Sequence, residues 1–239
     1  MKASKAIGRP TTLVLIRHAE SARNKVKKGN VYFPDEESRA GLRGIPDHLI
    51  RLTDHGYIQA SQAGPELKKL VGVPDYIYHS GYMRTVQTMN GILEAYSSKE
   101  LGKIRIRSNP FIRERDPGHA YDMTDAEVKK HFPYLAEYWK TFGCFFARPP
   151  GGESLADVCK RVYLFLNMLF RDRSGKTIVV VTHCGTIRCF RFLLEHWDYK
   201  RALSWPDGKS PKNCGMTIYR YDKTETRLVL KEYDRVSGE

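Results

Sequence analysis

The chain has 239 residues, of which 41% are hydrophobic and 28% are charged, as is typical of folded globular proteins. This composition excludes a disordered or fibrous protein. No apolar run reaches the roughly 18 residues that a membrane span requires, and no apolar core follows the basic segment at residues 1–10. We therefore expect a cytoplasmic protein with no membrane partner and a flexible tail over residues 1–10.

The chain is strongly basic. Lys and Arg total 40 against 27 Asp and Glu, which gives a formal net charge of +13. This surplus predicts an anionic partner, but charge alone does not choose between phosphorylated metabolites, nucleic acid and acidic lipid head groups.

The five cysteines form no CxxC pair and have no regular spacing. This pattern favours reduced, mostly buried thiols over a disulfide framework or a zinc site. They are Cys144, Cys159, Cys184, Cys189 and Cys214.

Two aliphatic runs, at residues 13–16 and 178–181, lack the alternation of a half-exposed strand and predict buried, central, parallel strands. The remaining strand patterns, of which the last two flank a polar turn and predict a hairpin, cover residues 75–79, 104–107, 216–221 and 228–233.

Five segments between these strands have apolar residues three and four positions apart, which predicts helices. They are residues 56–71, 82–96, 125–142, 154–170 and 185–196. Strands that alternate with helices predict an α/β fold. No repeat or flexible linker divides the chain, so we expect one domain over residues 1–239, with the long polar segment 25–51 as an excursion near the active face.

Histidines follow both central strands directly. Arg17 and His18 come after the run at residues 13–16, and Thr182 and His183 come after the run at 178–181. Ligands of open α/β sheets bind at the carboxyl ends of the strands. The two histidines are therefore expected to meet in one pocket.

Two further features suit an anionic substrate. Ser80 is placed to cap a helix whose first turn contains Arg84, and a helix N-terminus with an arginine favours phosphate. Glu114 lies between two arginines and is either a surface ion pair or the proton donor that a leaving oxygen needs.

Six short motifs follow one another along residues 13–190. They read LIRHAESARN from Leu15, LTDHGYIQA from Leu52, SGYMRTVQT from Ser80, RER from Arg113, GES from Gly152 and TH from Thr182. In this order they resemble the motifs of the histidine phosphatase (phosphoglycerate mutase-like) superfamily. The resemblance implies a three-layer α/β/α sandwich with a mostly parallel central sheet and a small cap formed by insertions.

The resemblance also implies roles for individual side chains. His18 would attack phosphorus, and Glu114 would protonate the leaving oxygen and then activate water. The groups expected to hold the phosphoryl oxygens are Arg17, Asn24, Arg84 and His183. This scheme needs no metal and no cofactor, because cationic side chains neutralise the phosphate.

Several positions depart from the family pattern. Ala19 and Cys184 stand where the family often has glycine, and Arg23 stands where a mutase typically has Trp. The stretch IPDH at residues 45–48 resembles the broad-range acid phosphatase branch, and residues 114–118 lack the ERHYG-like stretch of a mutase. These differences favour a phosphatase.

The sequence thus predicts a metal-independent phosphomonoester hydrolase that acts on a small phosphorylated metabolite through a phosphohistidine. Segments 25–51 and 116–148 are expected to select the substrate. The alternatives are a cofactor-dependent phosphoglycerate mutase and a polyanion-binding protein of this fold that uses the basic clusters at residues 9–28 and 103–115. No nucleic-acid-binding motif accompanies those clusters, so we expect no nucleic-acid partner.

A cysteine-dependent phosphatase is a further alternative, because Cys184 is preceded by histidine and followed by arginines. That class needs arginine at the position that Phe190 occupies here. The spacing therefore argues against it.

Overall fold

The computed structural model describes residues 8–27, 31–143, 145–202 and 210–237. The described strands form one sheet in the order β3-β2-β4-β1-β5-β6. Their bounds are β1 Thr12–Arg17, β2 Tyr76–His79, β3 Arg105–Ser108, β4 Thr177–Thr182, β5 Met216–Asp222 and β6 Arg227–Arg235.

Strands β1 and β4 are parallel neighbours at the centre of the sheet, as predicted. Their register places Arg17 opposite Thr182. His18 and His183 therefore follow the carboxyl ends of adjacent strands and lie side by side at the same end of the sheet. Strands β2 and β3 extend the parallel part. The predicted hairpin is confirmed, since β5 and β6 pair antiparallel and β5 also pairs antiparallel with β1.

The helices lie between these strands and at the cap. Their bounds are α1 Ala22–Lys27, α2 Glu36–Ala40, α3 Asp54–Val71, α4 Met83–Leu93, α5 Ser98–Leu101, α6 Asp125–His131, α7 Leu135–Phe142, α8 Leu155–Asp172, α9 Cys184–Leu194 and α10 Tyr199–Ala202. Within the described ranges, no helix has both the length and the apolar character that a membrane crossing demands.

Helices cover both faces of the sheet, which confirms the predicted three-layer sandwich. On β1, Leu13 and Leu15 pack into one core with α8 and α9, and Val14 and Ile16 pack into a second core with α3 and α4. Aliphatic residues fill both sets of positions because both faces of the strand are covered.

The described residues of the two excursions, 25–27 with 31–51 and 116–143 with 145–148, pack against each other and form the predicted small cap. Phe33 donates its backbone N–H to the carbonyl oxygen of Met123 at 3.2 Å. Arg39 forms an ion pair with Glu127 at 2.6 Å. A separate apolar cluster of the cap contains Tyr32, Ala120, Val128 and Leu135.

One predicted helix is wrong in its extent. Residues 125–142 form two helices, α6 and α7, instead of one. Pro133 lies between them, and proline lacks the N–H that a continuous helix needs at that position.

Parts of three predictions fall outside the described residues. These are residues 1–7 of the predicted tail, residues 28–30 of the excursion 25–51, and Cys144. The four described cysteines are free, and Cys159, Cys189 and Cys214 are buried.

Candidate active site

His18 is buried, and one carbonyl group determines which of its ring nitrogens carries the proton. Its Nδ1 lies 2.7 Å from the carbonyl oxygen of Ala19. A carbonyl only accepts hydrogen bonds, so Nδ1 carries the proton and Nε2 keeps its lone pair. Burial and the nearby charges of Arg84 and Arg17 hold the pKa of His18 well below its usual value. His18 is therefore neutral, and Nε2 is the ring nitrogen with an available lone pair.

His183 is oriented by two hydroxyl groups. Thr85 donates its hydroxyl proton to the carbonyl oxygen of Tyr82 at 2.8 Å, so Ser80 must donate to Thr85 at 3.0 Å. Ser80 Oγ then accepts from Nε2 of His183 at 2.9 Å. Nδ1 of His183 is therefore the unprotonated nitrogen of the neutral ring, and it is the atom that would accept a proton. It is buried without a hydrogen-bond partner among the described residues.

The two imidazole rings lie edge to face, with centroids 5.2 Å apart. Burial and the charge of Arg84 hold the pKa of His183 well below its usual value. Both rings are thus neutral near pH 7. A phosphate dianion beside Nδ1 would offset these effects and favour the protonated form of His183.

The second and third motifs support the loop that follows His18. Thr88 accepts the N–H of Ala19 at 2.9 Å, and Gln59 accepts the N–H of Glu20 at 2.9 Å. Gly56 packs so closely on this loop that a Cβ there would lie 2.1 Å from the carbonyl oxygen of Glu20. The described backbone has no positive φ at Ala19, so alanine replaces glycine there without strain.

Arg84 is buried at the start of α4 and is bound by an acid from the cap. Its Nη1 and Nη2 donate to the two carboxylate oxygens of Asp47 at 3.1 and 3.0 Å. The backbone carbonyl of Asp47 accepts a further bond from Nη1 at 2.6 Å. Arg23 also approaches this carboxylate, at 3.5 Å. Asp47 therefore links the cap to the predicted phosphate-binding arginine.

Arg17 and Asn24 both keep donors available. Nη1 of Arg17 donates to the carbonyl oxygen of Pro211 at 2.6 Å, whereas its buried Nε has no partner in the described chain. The amide oxygen of Asn24 accepts from the hydroxyl of Ser21 at 2.9 Å. Asn213 donates to the carbonyl oxygen of His18 at 2.7 Å. The amide nitrogen of Asn24 is thus a candidate donor to phosphate.

Glu114 lies against the first turn of α9. Its Oε1 accepts the N–H of Arg115 at 2.8 Å, and its Oε2 lies 3.4 Å from the N–H of Gly185. A Cβ at Gly185 would come within 2.7 Å of Oε1. Glu114 therefore lies against Gly185, two residues after His183, at the same end of the sheet.

An arginine of α8 fixes the segment that carries Glu114. Arg161 donates to the carbonyl oxygens of Arg113 at 2.7 Å and Glu114 at 3.0 Å. Glu153 accepts from Arg161 and from the N–H of Asp116. Glu153 of the GES motif thus supports the segment that carries the candidate acid. The sequence predicts neither the contacts of Arg161 nor those of Glu153.

Cys184 is not suited to be a nucleophile. Burial raises the pKa of its thiol to about 11, so the thiolate is scarce near neutral pH. This agrees with the spacing argument against a cysteine-dependent phosphatase.

The predicted residues that follow β1 and β4, together with Arg84 and Glu114, lie at one end of the sheet. Ser80 differs from its prediction, because Tyr82 is the N-cap residue of α4 and has no side-chain cap bond. No local sequence pattern assigns a role to Asp47, Asn213, Glu153 or Arg161. Asp47 lies within IPDH and Glu153 within GES, but these motifs do not indicate which side chains the two acids contact.

Comparisons with known proteins identify the family. A sequence profile of the histidine phosphatase superfamily (branch 1) matches residues 13–234. The chain belongs to this superfamily. The prediction made from its six motifs is confirmed at the level of the family.

Relatives include both phosphatases and mutase-like proteins. Broad-range acid phosphatase DET1 of Saccharomyces cerevisiae is 26% identical, over 93% of this chain and 89% of its own length. A 2,3-bisphosphoglycerate-dependent phosphoglycerate mutase of Rhizobium etli is 29% identical, over 88% and 90%. Phosphoglycerate mutase-like protein AT74 of Arabidopsis thaliana is 32% identical over 80% of this chain. The chain spans only 60% of AT74 and 64% of a second Arabidopsis relative, AT74H.

Solved structures share the fold. Bacillus stearothermophilus YhfR has a TM-score of 0.73 at 20% identity, with 95% of this chain and 98% of that chain covered. A mycobacterial glucosyl-3-phosphoglycerate phosphatase bound to inorganic phosphate has a TM-score of 0.68 at 22% identity, with the same coverage. At these identities the likeness establishes the architecture.

Proposed function

We propose that the protein is a phosphatase that hydrolyses small phosphomonoesters through a phosphohistidine at His18, without a metal ion. The observation that carries the proposal is the state of His18. Its Nδ1 proton is committed to the carbonyl of Ala19, and its low pKa keeps Nε2 unprotonated. A neutral imidazole with a free Nε2 is the form that attacks phosphorus.

In this mechanism, Nε2 of His18 forms a bond to phosphorus as the ester oxygen leaves. Glu114 donates a proton to that oxygen, because an alkoxide leaves slowly without one. Arg17, Arg84, Asn24 and His183 stabilise the charge on the transferring group. Water, deprotonated by Glu114, then attacks phosphorus, breaks the P–N bond and regenerates His18.

The test is to trap the intermediate. Wild-type protein mixed with labelled phosphomonoester in excess EDTA and quenched within milliseconds should contain label that is stable to base and lost in acid. His18→Ala should contain none and should lose turnover, since no neighbouring group can replace the nucleophile. Near-normal activity of His18→Ala, or a strict need for added Mg²⁺ or Zn²⁺, would contradict the proposal.

A phosphoglycerate mutase is the second candidate, favoured by the Rhizobium etli relative that is matched over 90% of its length. The presence of Arg23 in place of Trp and the Asp116-Pro117 sequence favour hydrolysis instead. The two are separated by comparing phosphate release with interconversion of 2- and 3-phosphoglycerate. Interconversion far faster than release would establish the mutase.

A further inference from the structure

Two cations of α1, Arg23 and Lys27, lie near one aromatic ring. The guanidinium carbon of Arg23 is 5.0 Å from the ring centre of Phe33, and Nζ of Lys27 is 4.9 Å from it. Both residues belong to α1 and are four positions apart. Residues at this spacing lie on the same face of a helix, so the two charges face the same space.

Little negative charge is directly available to this pair. Asp47 lies 3.5 Å from Arg23 but has both carboxylate oxygens bound to Arg84. Nζ of Lys27 donates to the carbonyl oxygen of Val31. No carboxylate in the described part of the chain forms an ion pair with Lys27. Arg84 and Arg23 thus share one carboxylate. The other hydrogen bonds of Arg23 and Lys27 within the described chain go to the backbone carbonyl oxygens of Tyr121 and Val31.

The electrostatics of Lys27 agree with this geometry. Burial, followed by the charge of Arg23, lowers the pKa of Lys27 to about 7, although Asp47, Asp125 and Asp122 oppose the shift. A bound anion would raise this pKa and stabilise both cations.

The pair lies close to the candidate phosphate pocket. Asp47 contacts Arg23 on one side and Arg84 on the other, so a single carboxylate separates the pair from a predicted phosphate ligand. Arg23 also directly precedes Asn24 in α1. A group carried by the same substrate molecule as the reacting phosphate can therefore reach it.

We propose that Arg23 and Lys27 form a second anion site, which binds a further carboxylate or phosphate of the molecule being hydrolysed. This inference rests on the proposed function and names its substrate class as phosphomonoesters with a second anionic group. Such a site gives specificity because its charge-assisted hydrogen bonds are absent when the substrate ends in a neutral group.

The test uses matched alkyl phosphates that differ only at the far end, which is a hydroxyl, a carboxylate or a second phosphate. Chains of three, four and six carbons cover the reach between the two sites. For at least one chain length, kcat/KM for both anionic forms should exceed that for the neutral form by about tenfold or more. A hydrogen bond to a charged group strengthens binding by about this factor. Equal values at every length would overturn the proposal.

Variants connect the preference to Lys27. Lys27→Met should reduce the anionic-to-neutral ratio of kcat/KM by about tenfold, and Lys27→Arg should retain it. Lys25→Met removes the same charge from an exposed position of the same helix and should leave the ratio unchanged. A ratio unaffected in folded Lys27→Met, with the melting temperature as the check on folding, would overturn the assignment.

The outcomes separate this inference from the proposed function. If none of these esters nor p-nitrophenyl phosphate is hydrolysed, the proposed function fails and the second anion site fails with it. If they are hydrolysed with no preference for the anionic ends, only the second anion site is refuted.

Discussion

Asp47 places a negative charge next to a pocket that is built for an anion. Its carboxylate binds both terminal nitrogens of Arg84, and the side chains of this pair are 5% and 18% exposed. Because both side chains are largely shielded from water, the charge of Asp47 would repel a neighbouring anion. The Coulomb energy is about 1 to 4 kcal/mol for two unit charges about 4 Å apart. We therefore expect Asp47 to orient Arg84 and at the same time to weaken the binding of phosphate, so that the product is released more readily.

Exchange of Asp47 for Asn tests this balance. Asp47→Asn removes the charge but keeps an amide oxygen and the backbone carbonyl that accept from Arg84. Inorganic phosphate should then inhibit about tenfold more strongly, in line with the Coulomb term. Inhibition constants measured with p-nitrophenyl phosphate as the substrate check this.

The matched control is Glu37→Gln, an exposed acid elsewhere in the cap, which should leave the inhibition constant unchanged. Weaker inhibition in Asp47→Asn would mean that the orientation of Arg84 matters more than the lost repulsion. Asp47→Ala, which removes the side-chain acceptor as well, should bind phosphate less well than Asp47→Asn.

At the scale of elements, the first turn of α9 carries three features of the site. His183 precedes the helix, the helix N-terminus favours an anion, and Gly185 leaves room for Glu114. Alanine at Gly185 would put its Cβ 2.7 Å from a carboxylate oxygen of Glu114. Because that oxygen ends a flexible side chain, the helix stays in place and Glu114 moves.

Gly185→Ala should therefore resemble Glu114→Gln in its kinetics. General acid catalysis is worth about 10²–10⁴-fold, so both variants should slow phosphoenzyme formation from alkyl phosphates, Gly185→Ala by at least about tenfold. p-Nitrophenyl phosphate should be spared in this step, because nitrophenolate leaves without a proton. Single-turnover rates for the two substrate types provide the measurement.

A glycine with space around it provides the control for this variant. At Gly102 a Cβ would meet nothing closer than 3.7 Å, so Gly102→Ala should keep wild-type rates. An equal loss for alkyl and nitrophenyl phosphates in Gly185→Ala would remove Glu114 from the role of acid.

The helices and strands differ in how well the sequence predicts them. Residues 13–16 and 178–181 are unbroken aliphatic runs, and the strands found there extend by one residue at each end. The pattern of residues 125–142 remains helical on both sides of Pro133, so apolar spacing alone did not reveal the break. A proline within a helical pattern was the available signal.

The site residues show a similar division. His18 and His183 follow strands directly, so strand prediction was enough to place them together. The bond between Asp47 and Arg84 depends on how an insertion folds back over the sheet, which no local pattern encodes. Ser80 was predicted as a helix cap from its residue type, whereas its hydroxyl orients His183.

At the scale of the whole molecule, burial of two neutral histidines makes the fold sensitive to acid. In the folded protein the pKa values of His18 and His183 lie well below 6.5, and in the unfolded chain they return to about that value. Below pH 6.5 the unfolded chain therefore binds protons that the folded protein does not. The contribution of these two histidines to the free energy of unfolding is therefore fully present above pH 6.5. It is lost as the pH falls toward the folded-state pKa values.

Urea unfolding in phosphate-free buffer should thus give a free energy of unfolding that declines from pH 7.5 to pH 5. Each histidine contributes a slope of up to about 1.4 kcal/mol per pH unit. His183→Gln should make the decline shallower, and His131→Gln, at an exposed position, should not. Identical slopes for wild type and His183→Gln would contradict this account.

The order of strands in the sheet has a consequence for synthesis of the protein. Strand β1 leaves the ribosome first, yet its two neighbours, β4 and β5, begin at Thr177 and Met216. Until β4 and β5 emerge, the aliphatic side chains of β1 are uncovered and its backbone N–H and C=O groups are unpaired. Such a strand is prone to associate with other chains. A growing chain therefore contains His18 long before it contains a pocket, and a chain that stops short of β4 has no His183 to place beside His18.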